Sequence, residues 1–113
     1  MRSAIRMLTM TALAAVIFGA GAKAYATSTN SGADVYKVKC AMCHGDDGKG
    51  LEPMHTPDFT DPNWQKEHSD QEIVDTIKNG KKGTMMLAFG DKLKPAEIQE
   101  LLHYIRAFNS AKK

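Results

Sequence analysis

The chain is poor in the residues that hold small proteins together or tie them to common ligands. Among 113 residues there are two cysteines, four prolines, one tryptophan and seven other aromatics. Two cysteines exclude a disulfide framework, which needs several pairs, and a four-cysteine zinc ribbon, which needs a second C-x-x-C. The longest apolar run, from Leu8 to Ala22, is 15 residues, short of the roughly 18 to 20 that span a bilayer. No stretch alternates for long enough to argue for a half-buried strand, so a β-sheet architecture has no support in the pattern.

A lasting excess of charge is lacking too. Arg2 and Arg6 precede the apolar run, and Ala24 and Ala26 follow it in an A-x-A arrangement, the order of a secretory signal peptide. Cleavage is expected after Ala26, with Ala24 as the neighbouring choice and an uncleaved anchor as the alternative. Removing residues 1–26 takes three of the 15 basic residues and none of the 13 acids, so the formal charge of +2 becomes −1. Nucleic acid is therefore not an expected partner. The 87 residues left form one domain of a size at which a protein-only core is thin and a metal, disulfide or cofactor often completes it.

What is present centres on CAMCH, Cys40 to His44, which holds both cysteines. This is the C-x-x-C-H pattern of c-type haem attachment. Thiols three apart share a helix face and can add to two vinyl groups on one flat ring, while the histidine that follows is placed to ligate the iron. The same pair is compatible with a thioredoxin-like dithiol, part of a zinc site or a plain disulfide. A dithiol is disfavoured because nothing before Cys40 reads as a strand.

The surrounding segments are helical or irregular. Residues 27–31 are polar and expected as a mobile leader. From Gly32 a helix carries Val35, Tyr36 and Val38 into the motif. After His44, GDDGKG ends it in a surface turn whose acids do not follow the calcium-loop spacing. Leu51 to His68 contains Pro53, Pro57 and Pro62 and reads as a long loop wrapped around a flat ligand, with Leu51, Met54, Phe59 and Trp64 as its lining. Ser69 and Glu72 form a capping box that opens a helix with Ile73, Val74 and Ile77 inside and Asn79 and Gly80 at its end. Pro95 opens the last helix, with Ile98, Leu101, Leu102, Ile105 and Phe108 at helical spacing. The fold class is all-α, with three main helices.

Over residues 32–109 the chain resembles the class I cytochromes c, in particular small exported bacterial ones. The resemblance rests on GADVYKVKCAMCHG, NGKKGTMMLAFGDKL and LLHYIRAF. It implies a small cytochrome c fold over 32–113, wrapped around one haem c bound through Cys40 and Cys43. His44 and Met86 would be the axial iron ligands. It also implies a crossing of the first and last helices at Gly32, Tyr36, Leu101 and Tyr104, and a proline carbonyl, Pro53 or else Pro57, that accepts the free N–H of His44. The family's M-P-A-F-G-D-K-L reads M-L-A-F-G-D-K-L here, so Leu87 replaces a proline and Met85 is a rival for Met86. His55 is a weaker distal candidate, and His55, His68 and His103 are each expected as surface or half-buried residues. The implied function is a periplasmic, non-enzymatic one-electron carrier, monomeric, not inserted in the membrane once the leader is cleaved, with unidentified redox proteins as donor and acceptor. A haem subunit of a larger oxidoreductase and a ligand-binding haem protein with a labile methionine are the alternatives. Lys78, Lys81, Lys82, Lys92 and Lys94 near the methionine loop, set against Asp46, Asp47, Glu52, Asp58 and Asp61 after the haem motif, suggest a basic docking side.

Overall fold

A computed structural model describes residues 29–109; the signal peptide assigned to residues 1–26 lies outside them. Every regular element among the described residues is helical. Ser31 opens the first, its hydroxyl accepting from the Asp34 N–H at 3.2 Å. Helix α1 (Gly32–Val35) runs into a π-helical turn, Tyr36–Cys40, and then α2 (Ala41–His44), where Gly45 at φ 79° ends the run. A 3-10 turn at Glu52–Met54 follows, then α3 (Pro62–Glu67), α4 (Asp70–Asn79) and α5 (Pro95–Ala107).

Two elements depart from the sequence expectation. The stretch 51–68 is not loop throughout, because Asp61 caps α3 by accepting from the Asn63 N–H at 2.9 Å and Pro62 supplies a first helical residue that needs no donor. Asn30 and Ser31 are not a free leader. The Asn30 amide donates to the Glu97 carboxylate at 3.0 Å, and Ser31 is the cap just described. That bond is the main reason the Glu97 carboxyl sits below its ordinary value.

The expected capping box at Ser69 and Glu72 forms at 2.8 and 3.1 Å and starts α4, which buries Ile73, Val74 and Ile77. On α5, Ile98, Leu101, Leu102 and Ile105 are buried at i, i+3 and i+4 spacings. These two stripes meet Val35, Tyr36, Phe59 and Leu93 in one core. Helix α1 crosses α5 at Gly32, where an added Cβ would lie 2.7 Å from the Glu100 carbonyl carbon and 3.1 Å from the Tyr104 Cβ. One turn on, Tyr36 packs its ring 5.0 Å from Tyr104 and 5.3 Å from Phe108, and its hydroxyl donates to the Gly45 carbonyl at 2.7 Å. The crossing thus fixes where the chain turns out of α2.

Candidate haem site

Between these elements lies a mostly apolar cavity of about 360 Å³. Cys40, Cys43 and His44 reach it from the π turn and α2, Met54, Pro57 and Phe59 from the loop, and Trp64 from α3. Ile73 and Ile77 of α4, Leu101 and Ile105 of α5, and Met85, Met86 and Phe89 complete it. A second recess, of about 450 Å³, lies among Lys78, Asp91, Leu93 and Ile98 and contains no cysteine, histidine or methionine, so the donor chemistry belongs to the first.

The π turn arises where the Ala41 N–H reaches back five residues to the Tyr36 carbonyl. No residue type marks such a bulge in a sequence, although bulges of this kind are frequent at functional sites. Cys40 and Cys43 are free thiols, each half-buried. Burial first, and the neighbouring Cys43 second, push the Cys40 thiol up to about 11. A reactive dithiol needs a stabilised thiolate, which this environment opposes at Cys40, and among the described residues no group of three or more His, Cys, Asp or Glu is placed to hold a metal ion.

Burial also pushes His44 below its ordinary value, leaving the neutral imidazole that a metal requires. Its Nδ1 is buried without a hydrogen-bond partner. The Phe59 ring lies against it, 4.8 Å between centroids and 17° from parallel. Neither proline carbonyl bonds to Nδ1. Pro53 is exposed in the 3-10 turn and off the cavity wall, so of the two prolines weighed from the sequence only Pro57 is on it. Leu51, expected as lining, is 39% exposed and also off the wall, while Met54, Phe59 and Trp64 are on it. The loop is pinned by Thr56, whose hydroxyl accepts from the Leu51 N–H at 2.7 Å and donates to the Cys43 carbonyl at 2.8 Å. Nothing in the sequence distinguishes that threonine from a solvated one.

The methionine loop is drawn in by Gly80. At φ 72°, an added Cβ there would meet the Met86 carbonyl oxygen at 2.7 Å and the Ala88 nitrogen at 3.0 Å. The Phe89 N–H donates to the Ile77 carbonyl at 2.8 Å, which anchors the loop end, and the Met86 carbonyl accepts from the Lys81 N–H at 3.2 Å. Met86 is half-buried, whereas Met85 is 76% exposed, though both line the cavity. His55 and His68 also reach the wall; His103 is exposed and away from it. Of the five lysines expected on the docking side, only Lys81 lines the cavity, joined by Lys39.

The donor set fits a haem. Two free thiols three residues apart and a neutral imidazole line the cavity together, thioethers come from another segment, and most of the remaining surface is aliphatic and aromatic.

The family model described as cytochrome c oxidase, cbb3-type, subunit III matches residues 27–105. The cbb3-type cytochrome c oxidase subunit FixP of Azorhizobium caulinodans is 36% identical over 78 residues, 69% of this chain and 26% of the relative. The subunit CcoP of Rhodobacter capsulatus is 31% identical over 93 residues, 77% of this chain and 31% of the relative. The chain therefore spans less than a third of the length of these curated relatives. Among solved structures, the KustC0563 c-type cytochrome superposes with a TM-score of 0.65 at 33% identity, over 70% of this chain and 98% of its own. The c-type cytochrome XoxG from Methylobacterium extorquens AM1 gives 0.56 at 29% identity, over 68% and 47%.

Proposed function

Because the chain belongs to the cytochrome c family described as cytochrome c oxidase, cbb3-type, subunit III, we propose that it is an exported electron carrier with a single c-type haem. Cys40 and Cys43 would hold the group by thioether bonds, and His44 and Met86 would ligate the iron. When bound, the group supplies a reversible one-electron couple. The chain's own residues keep both ligands in place, keep water off the apolar walls and leave the imidazole neutral. No substrate bond is made or broken, so no acid, base or nucleophile is needed. A neutral thioether in an apolar cavity favours the less charged ferrous state, which raises the potential.

The observation that supports this proposal is that Cys40, Cys43, His44 and Met86, from three separate parts of the fold, all line one cavity. The protein expressed with its leader in a host that attaches haem should show one iron per chain, a low-spin spectrum in both oxidation states, and haem that stays with the chain after acid–acetone extraction. Haem that is extracted, or no haem, overturns the proposal.

A second role, as the haem-bearing part of a larger oxidase, is favoured by the relatives, which are themselves oxidase subunits. Sedimentation of native extracts separates the two. A free carrier stays in the soluble fraction at the mass of one domain, and a subunit follows a membrane complex.

A further inference from the structure

The ring of a ligating histidine turns about a broad sp³–sp² torsion, and a hydrogen bond to its second nitrogen usually fixes it. Here the Nδ1 of His44 has no such partner, and what lies flat against the ring is Phe59. What holds Phe59 therefore holds His44.

Phe59 is 5% exposed and fixed at both backbone groups. Its N–H donates to the Gly48 carbonyl at 2.7 Å, and its carbonyl accepts from the Gln65 amide, also at 2.7 Å. Gln65 is itself buried, at 8% exposure. Its Nε2 donates a second bond to the Ile105 carbonyl at 3.0 Å, and its Oε1 accepts from Arg106 at 2.9 Å. The same guanidinium donates to the Gln65 carbonyl at 2.8 Å and to the His68 carbonyl at 2.7 Å. Those two carbonyls lie at the C-terminal end of α3, a six-residue helix too short to hold itself. Trp64 of that helix packs against Phe59 itself, ring centroids 4.8 Å apart.

We propose that Gln65 and Arg106 form a positioning unit that fixes Phe59 against the imidazole of His44 and so sets the orientation of that ligand ring. The proposal rests on the carrier role given above. It does not rest on the ion pair of Arg106 with Asp70 at 2.8 Å, because the Asp70 side chain is 68% exposed and such pairs contribute little. The planar fork delivering bonds to three acceptors of two residues is what matters, and lysine cannot reproduce it.

The test uses the haem-loaded full chain and proton NMR of His44 in both oxidation states, with the midpoint potential and thermal unfolding alongside. Gln65→Met keeps the shape and removes the donors; Phe59→Leu removes the stacking face directly. Both should displace the His44 ring resonances and the potential, and Arg106→Lys should do the same to a smaller degree. Asp70→Asn should leave all of these unchanged. Leu102→Val, in the core but off the cavity wall, should lower the unfolding temperature without moving the His44 resonances. Variants that lose stability while the His44 resonances and potential stay at wild-type values overturn the positioning role. Should Gln65→Met not accumulate, an unchanged His44 spectrum in Phe59→Leu is enough to refute it. Wild-type protein that takes up no haem instead refutes the carrier role beneath it.

Discussion

Replacing Gly32 by alanine tests whether the helix crossing is as close as the structure has it. The backbone of Gly32 is not in the left-handed region, so alanine suffers no dihedral strain. Its extra carbon would nonetheless fall inside contact distance of the Glu100 carbonyl oxygen, 2.7 Å from the carbonyl carbon and 3.1 Å from the Tyr104 Cβ. Two of those atoms are helix backbone and cannot swing away, so the two helices must separate. Overpacking of a close-packed contact costs about 1–3 kcal/mol, and a backbone obstacle belongs in the upper half of that range. Alanine also gains up to about 1 kcal/mol of helix propensity over glycine. The net expectation is a loss of about 2 kcal/mol, or a fall in Tm of roughly 8–16 °C for a domain of this size. Thermal unfolding followed by circular dichroism on the haem-loaded protein measures it. Ala33→Gly, at the exposed neighbour, reports the propensity contribution alone and should lose about 1 kcal/mol or less. A Gly32→Ala protein as stable as wild type, or more so, would show that propensity outweighs the contact and that the crossing is looser than described.

Tyr36→Phe leaves the Gly45 carbonyl without its 2.7 Å partner and should cost about 1–2 kcal/mol in denaturant titration. Burial holds the Tyr36 phenol above its ordinary value of 10, so the stability it contributes is present below pH 10 and lost as pH rises beyond it. Tyr36→Phe should therefore show a weaker alkaline fall in Tm than wild type, and parallel curves would contradict this. Asn30→Ala should let the Glu97 carboxyl rise toward its ordinary 4.5, as read by carbon-13 NMR titration; no movement would mean that the Asn30 bond is not the cause. Met86→Ala should abolish the weak red-edge sulfur-to-iron absorption of the ferric protein, lower the potential and admit carbon monoxide, while Met85→Ala changes little; the reverse result would move the ligand to the exposed Met85. Cys40→Ala with Cys43→Ala should yield a chain largely disordered by circular dichroism, and a cooperative thermal transition in that haem-free form would refute its dependence on the cofactor.

The parts of this molecule legible in the sequence are those whose signal is local. Helices α4 and α5 announce themselves by apolar spacing and by Ser69, Glu72, Gly80 and Pro95 at their ends, and CAMCH marks the cavity wall directly. Helix α3 was hidden because six residues are fewer than two turns, too few for a period to show. The π turn has no compositional mark at all. Neither Pro53 nor Pro57 bonds to the His44 Nδ1, and which of them lines the cavity depends on the path of the loop, which Thr56 sets by reaching back 13 residues to Cys43. Gln65 and Arg106 were invisible for a similar reason, since they meet across 41 positions and each alone looks like an ordinary polar residue on a helix. Asn30 reads as leader from the sequence because its partner, Glu97, lies 67 residues away.

The core and the cavity share walls. Phe59, Ile73, Ile77, Leu101 and Ile105 belong to the buried cluster and also face the space between Cys40, His44 and Met86. These side chains therefore serve the protein core and the cavity lining at once. The residues that would hold the haem are in turn supported by this same cluster, since Tyr36 fixes Gly45 just after His44 and Phe59 backs the imidazole. Stability and ligand geometry are thus two consequences of one set of contacts. A substitution such as Gly32→Ala, placed at the far helix crossing, should lower Tm before it alters the iron, because it loosens α1 against α5 while the bonds around Phe59 remain. Substitutions at Phe59 or Gln65 should alter both together, and that difference in order is what separates packing from positioning in a domain this small.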